Sequence, residues 1–204
     1  MTYFCYRYGD LPCGAAEQAL LCPRELELTA TRGPRYLAAR ANLRRELGRI
    51  LHRAPESLSF TSTELGKPLL ADGELHFNQS HSGDILCLAV HDAPIGVDVQ
   101  QLRPAVVSAR LAARIMHPQQ LQAWQARGSS AEEFFACWCA AEALVKHAAS
   151  SIWQALRYPF LWQNGRIRPL FDNAPHVQLF TPASGYCGAV AYTSTASDTS
   201  TSQP

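Results

Sequence analysis

The stretch from Leu75 to Leu102 constrains the fold more than any other part of the chain. Two apolar runs, Ile85 to Val90 and Ile95 to Val99, are separated by His-Asp-Ala-Pro, turn chemistry that predicts a central hairpin of two short strands. The second run carries Asp98 between Val97 and Val99. A carboxylate in an otherwise buried-looking strand needs a partner or a metal to offset its desolvation, which makes Asp98 the first candidate site residue. The competing reading is an Asp that the strand's alternation turns to solvent.

Bulk properties exclude several classes. At 204 residues the chain can bury a proper core, as one domain or two small ones. Its 47% hydrophobic and 17% charged residues are those of an ordinary globule, and a net charge of +1 argues against a nucleic-acid or polyanion binder. The apolar run Ile85 to Val90 is too short to span a bilayer, and Met1 to Asp10 carries Arg7 and Asp10 where a signal peptide is apolar. A cytoplasmic protein with no membrane partner is expected. The 7 cysteines are scattered with no Cys-x-x-Cys pair, so reduced thiols are expected. Cys137 and Cys139 point in different directions on a helix and cannot share a metal. No histidine spacing suits zinc, and no Gly-x-Ser-x-Gly, Gly-x-Gly-x-x-Gly or Walker loop is present.

From Arg35 to Arg53, Tyr36, Leu43, Leu47, Ile50 and Leu51 recur at helical spacing, with arginines on the other face and Gly33-Pro34 at the start. Gly66-Lys67-Pro68 reads as a turn projecting one cation. Ser80 and His81 invite a hydrolase reading, but neighbours on an extended chain face opposite ways, which argues against a dyad. A helical segment is expected from Ala105 to Ile115, and Pro118 opens a second helix. Ser130 and Glu133 have capping-box spacing and predict a helix from Ala131 to about Ala149. Phe135, Trp138, Cys139, Glu142 and Lys146 form one stripe on it, with a carboxylate among apolar residues. A helix ion pair is the plainer reading of Glu142 and Lys146. Strands are expected at Tyr158 to Trp162, Ile167 to Phe171, His176 to Phe180 and Tyr186 to Tyr192, packed as a second sheet on the Ala131 helix. The tail 194–204, nearly all Ser, Thr, Asp and Gln, is expected to be disordered.

Three segments, Phe77-Asn78-Gln79-Ser80-His81-Ser82, Ile95-Gly96-Val97-Asp98 and Trp138 to Lys146, fall in an order and at spacings that resemble the 4′-phosphopantetheinyl transferases, in their larger surfactin-type branch. The resemblance runs from about Arg35 to Tyr192. It implies an α+β fold of two similar helix-plus-sheet subdomains with pseudo-twofold symmetry, residues 1–96 and 97–193, and a site in the cleft between them. The implied activity is transfer of the phosphopantetheine arm of coenzyme A to a serine of an acyl or peptidyl carrier protein, by a monomer that binds no nucleic acid. In that reading Asp98, Glu142 and Lys146 are catalytic, and Mg²⁺ is held by Asp98 and Glu142 with Gln100 beside them. Coenzyme A contacts fall to Arg35, Arg44, Lys67, Pro68, Ser80, His81 and Lys146, with Arg32 as a further cation. Two positions depart from the family pattern: Gln100 stands where a third acid is frequent, and Ala141 where a lysine usually precedes the helix Glu. Another possible acid position appears as Gln119-Gln120. These departures leave a rival reading, a non-catalytic binder of coenzyme A or carrier protein.

Overall fold

Residues 1–150, 160–163 and 166–195 are described by the computed structural model of the chain. The first half runs β1 (Thr2–Arg7), α1 (Ala15–Gln18), α2 (Pro23–Arg32), α3 (Pro34–Leu51), β2 (Phe60–Ser62), β3 (Pro68–Leu70), β4 (His76–Ser82) and β5 (Ile85–His91). The second runs β6 (Ile95–Gln101), α4 (Ala109–Ile115), α5 (Pro118–Ala126), α6 (Ala131–Ala148), β7 (Phe160–Gln163), β8 (Arg166–Pro169), β9 (His176–Phe180) and β10 (Tyr186–Tyr192). The architecture is α+β. Two antiparallel three-stranded sheets, ordered β1-β5-β4 and β6-β10-β9, each carry one long helix.

In the first half, α2 and α3 both open on a proline at the first helical position, where the missing N–H costs nothing. Leu43 and Leu47, one turn apart on α3, bury against Phe77, Leu88 and Val90 of the sheet. The expected solvent face of arginines fails at Arg44, which is 1% exposed. A buried acid explains it, because Glu25 of α2 takes both Arg40 and Arg44 and so pins α2 to α3.

The expected hairpin between the two apolar runs does not form. β5 pairs with β1 on one side and β4 on the other, while β6 pairs with β10. The tight turn lies instead at Gly83-Asp84, between β4 and β5. Gly83 has φ +54°, and a Cβ there would lie 2.5 Å from the Tyr186 hydroxyl, so both backbone and space favour glycine. His-Asp-Ala-Pro carries the chain from one sheet to the other. Where the sheets meet, β4 and β6 lie side by side and are joined by side chains. Asn78 Oδ1 accepts the N–H of Val97 at 2.8 Å, Ser80 Oγ that of Val99 at 3.4 Å, and Ser82 Oγ that of Gln101 at 3.0 Å.

The Ala105 helix is shorter than expected. A 3₁₀ turn takes Pro104–Val106, and α4 starts after Ser108, whose Oγ accepts the N–H of Leu111. Ser130 caps α6 by accepting the N–H of Glu133, but the Glu133 carboxylate pairs with Arg127, so half of the capping box is realised. Phe135, Cys139, Ala140 and Ala143 of α6 bury against Ala189 and Ala191 of β10. α6 also rides directly over Gly96 of β6, where a Cβ would lie 2.1 Å from Ala143 O and 2.3 Å from His147 N. Parts of the expected strand 158–162 and of the tail 194–204 lie outside the described residues, as do 151–159, 164–165 and 196–204.

Candidate active site

Strand alternation sends Val97 and Val99 into the apolar layer with Ile85, Cys87 and Ala89, and turns Asp98 the other way. It does not reach solvent there. Asp98 is 2% exposed and meets donors from three elements. Oδ1 accepts from Ser80 Oγ at 2.8 Å and from Lys146 Nζ at 2.6 Å, and Oδ2 accepts from Gln100 Nε2 at 3.0 Å. Lys146 Nζ also donates to Ser80 Oγ at 3.1 Å. β4 and α6 thus each deliver one donor, and β6 a third, to the carboxylate that β6 itself carries, an arrangement that offsets the desolvation of Asp98.

Glu142 lies one turn before Lys146 on the same face of α6. Burial raises its carboxyl above the ordinary carboxylate value; Lys146 opposes the shift and the negative charge of Asp98 adds to it. A carboxyl raised in this way, beside a lysine and a second acid, is better suited to take a proton than an ordinary glutamate. Among the described residues, no group of 3 or more His, Cys, Asp or Glu side chains has the arrangement to hold a metal ion. What the site offers a divalent ion is the pair Asp98 and Glu142.

On the other face of β4 lies a groove of about 1000 Å³ whose walls include Arg24, Arg32, Arg35, Arg40, Tyr8 and Phe60. Gln79 and His81 of β4 point into it, and Pro68 and Gly66 line its rim. The Arg35 guanidinium sits 4.9 Å over the Tyr8 ring and donates to Gly83 O at 2.7 Å, with Asp84 3.6 Å away. His81 is exposed and meets the same ring edge-on at 6.3 Å. The groove thus gathers cations over aromatic faces, a surface suited to an anionic ring-bearing ligand.

The residues anticipated from sequence divide between these two places. Asp98, Gln100, Glu142 and Lys146 come together at the seam, and Arg35, Pro68 and His81 at the groove. Three stand apart from the roles expected. Arg44 borders the groove, yet its guanidinium is occupied by Glu25 and by the carbonyls of Pro55 and Leu58 at 3.0 and 2.9 Å. Lys67 donates to Ile95 O at 2.8 Å and to Lys146 O at 2.5 Å, tying the β2–β3 hairpin to β6 and to the end of α6. Burial pulls its ammonium down to about 8. Ser80 faces the seam and not the groove. Sequence reasoning missed Tyr8 and gave Asn78, Ser82 and Gly96, which stand within the motif segments, no role of their own. Of these, Asn78 and Ser82 had a signal: with Ser80 they place small polar residues at every second position of one strand.

Two antiparallel sheets thus meet at a buried acid, with a Glu and a Lys one helical turn apart above it and an arginine-rich groove alongside. Residues 94–193 match the family model described as the 4′-phosphopantetheinyl transferase superfamily. The chain is 30% identical over 201 residues to the 4′-phosphopantetheinyl transferase AcpT of Escherichia coli strain K12, covering 92% of this chain and 88% of that one. It is 32% identical over 101 residues to a 4′-phosphopantetheinyl transferase of Bacillus subtilis, covering 48% of this chain and 44% of that one. With the 4′-phosphopantetheinyl transferase Sfp of Bacillus subtilis strain 168 it shares 28% over 98 residues, 47% of this chain and 43% of that one. The chain thus spans less than half the length of these two Bacillus relatives. It belongs to the 4′-phosphopantetheinyl transferases.

Proposed function

We propose that this protein transfers the 4′-phosphopantetheine arm of coenzyme A to a serine hydroxyl of an acyl or peptidyl carrier protein, releasing 3′,5′-ADP. The observation that supports this best is the convergence of Asp98, Glu142 and Lys146 beside an arginine-rich groove across β4. In this reading the groove takes the nucleotide end of coenzyme A. Arg35 and His81 are the proposed 3′-phosphate contacts, with Arg32 near them, and Pro68 bounds the site. Arg44 serves the fold, since its guanidinium is held by Glu25, Pro55 and Leu58, and Lys67 gives two of its three ammonium hydrogens to backbone carbonyls.

The donor chemistry of Asp98 and Glu142 fits Mg²⁺, which is commonly held by one or two carboxylates with substrate phosphates completing the shell. When bound, that ion would neutralise the pyrophosphate and orient it. The chain's own groups do the rest. Lys146, anchored by Asp98 and Ser80, presents a point charge to the phosphoryl oxygens. Glu142, its carboxyl raised by burial, accepts the serine proton as the serine oxygen attacks the phosphorus nearest pantetheine. The phosphorus bond to the bridging oxygen breaks, and that oxygen leaves with 3′,5′-ADP. The halves that hold the nucleotide and the reacting groups are assigned as residues 1–96 and 97–193, acting as a monomer in the cytoplasm.

The test is the intact mass of an apo carrier protein after incubation with the protein, coenzyme A and Mg²⁺. The expected result is the gain of one phosphopantetheine arm. Binding of coenzyme A without any such gain, across fatty-acid, polyketide and peptide carrier proteins, would make the chain a non-catalytic binder.

A further inference from the structure

We propose that the Ser80 hydroxyl is a positioning group that sets the Lys146–Asp98 pair; the claim rests on the transferase reading above. Its hydroxyl has one hydrogen to donate and two lone pairs to accept with. All three are used within the protein. The hydrogen goes to Asp98 Oδ1 at 2.8 Å, and the lone pairs take Lys146 Nζ at 3.1 Å and the N–H of Val99 at 3.4 Å. Ser80 is 7% exposed, and strand alternation turns it away from the groove that Gln79 and His81 face.

The position has a mechanical consequence. Ser80 is the middle rung of the side-chain ladder by which β4 grips the backbone of β6, between Asn78 and Ser82. It is also the rung that touches both members of the reacting ion pair. A shift of β4 against β6 therefore reaches Asp98 and Lys146 through one oxygen. Two of the three ammonium hydrogens of Lys146 are held, by Asp98 and Ser80, which leaves the third for a phosphate oxygen in the transferase reading. Loss of a group that orients a reacting residue typically costs about 10–100-fold in activity.

The experiment measures kcat for carrier-protein modification, calorimetric affinity for coenzyme A, and melting temperature for wild type, Ser80→Ala and Ser82→Ala. Ser82→Ala removes a rung that touches neither Asp98 nor Lys146. The expected result is a kcat lowered about 10–100-fold in Ser80→Ala with coenzyme A affinity within about twofold of wild type, while Ser82→Ala loses melting temperature but keeps kcat. Weakened coenzyme binding at unchanged kcat in Ser80→Ala overturns the proposal, and so do equal kcat losses in both variants. Should Ser80→Ala not fold, Ser80→Cys, close in shape and a far weaker hydrogen-bonding group, carries the same expectation and the same reversals. If wild type transfers nothing, the transferase reading fails by itself. The positioning claim is then decided by a crystal structure of Ser80→Ala, in which displacement of Lys146 from Asp98 supports it and an undisturbed 2.6 Å contact overturns it.

Discussion

Glu142 and Gln100 differ in what they ask of the metal and of pH. Because burial raises the Glu142 carboxyl, its catalytic form is lost at a higher pH than an ordinary glutamate would lose it. The acid limb of the kcat profile should therefore have its midpoint above the ordinary carboxylate value of 4.5, and Glu142→Gln should remove it. The linkage sign is opposite for stability: a carboxyl raised by folding favours the native state at low pH and loses that contribution as pH climbs through the raised value. Glu142→Gln should still bind coenzyme A but lose at least about tenfold in kcat, a barrier change of ~1.4 kcal/mol or more; a smaller loss in a stopped assay would remove Glu142 from proton transfer. Gln100 donates its amide to Asp98 Oδ2, so without a metal it stabilises the charge that a third acid would repel. Gln100→Glu restores a unit charge worth at most ~4 kcal/mol at ~4 Å. Its Mg²⁺ half-saturation should fall below that of wild type. Identical titration curves for the two proteins would mean that position 100 lies outside the metal's surroundings.

Between elements, the contact that matters most is α6 over β6, since it sets the height of Glu142 and Lys146 above Asp98. Gly96 makes it possible. The atoms a Cβ would meet, Ala143 O and His147 N, are backbone and cannot swing aside. Gly96→Ala should cost about 1–3 kcal/mol by overpacking, and should lower kcat further by lifting α6. A chemical denaturation midpoint equal to wild type would mean that α6 is not held there. Lys67 holds the same end of that helix through the carbonyl of Lys146. Replacing it by Met leaves two carbonyls without their charged donor and should cost about 1–3 kcal/mol. Folding lowers the Lys67 value from 10.5 to about 8, so the unfolded chain binds more protons between those values and wild-type stability gains as pH rises through them. The stability gap to Lys67→Met should widen over that range, and a constant gap would show that Lys67 titrates as it does in water.

At the scale of the molecule, the division of labour is spatial. Arginines of α2 and α3 and His81 of β4 face the groove, while the acids of β6 and α6 occupy the seam across β4. Affinity for coenzyme A should accordingly depend on the 3′-phosphate and on salt, and kcat much less so. Dephospho-coenzyme A should bind more weakly than coenzyme A, on the scale of ~1.5–3 kcal/mol for each charge-assisted hydrogen bond lost. His81→Ala should narrow that preference. Equal calorimetric affinities of wild type for the two compounds would dismiss the assignment of the groove.

The sequence by itself determined the α6 stripe, the strand that carries Asp98 and the last two strands almost to the residue. These follow from local periodicity and capping, which report on a segment's own neighbours. It also carried the motifs that led to Asp98, Glu142 and Lys146. Only the tertiary structure decided that β5 and β6 part into different sheets, because two apolar runs around a turn look alike whether they pair with each other or with strands far along the chain. It also decided which cations are available to a ligand. Arg35, Arg44 and Lys67 have similar polarity in the sequence. A buried Glu25 and the carbonyls of Pro55, Leu58, Ile95 and Lys146 claim two of them, while Arg35 stays at the groove with 62% of its side chain exposed. Partners that lie from 11 to 79 residues away leave no trace in local spacing, and the hydrogen-bonding capacity of a side chain is divided only once the chain has folded.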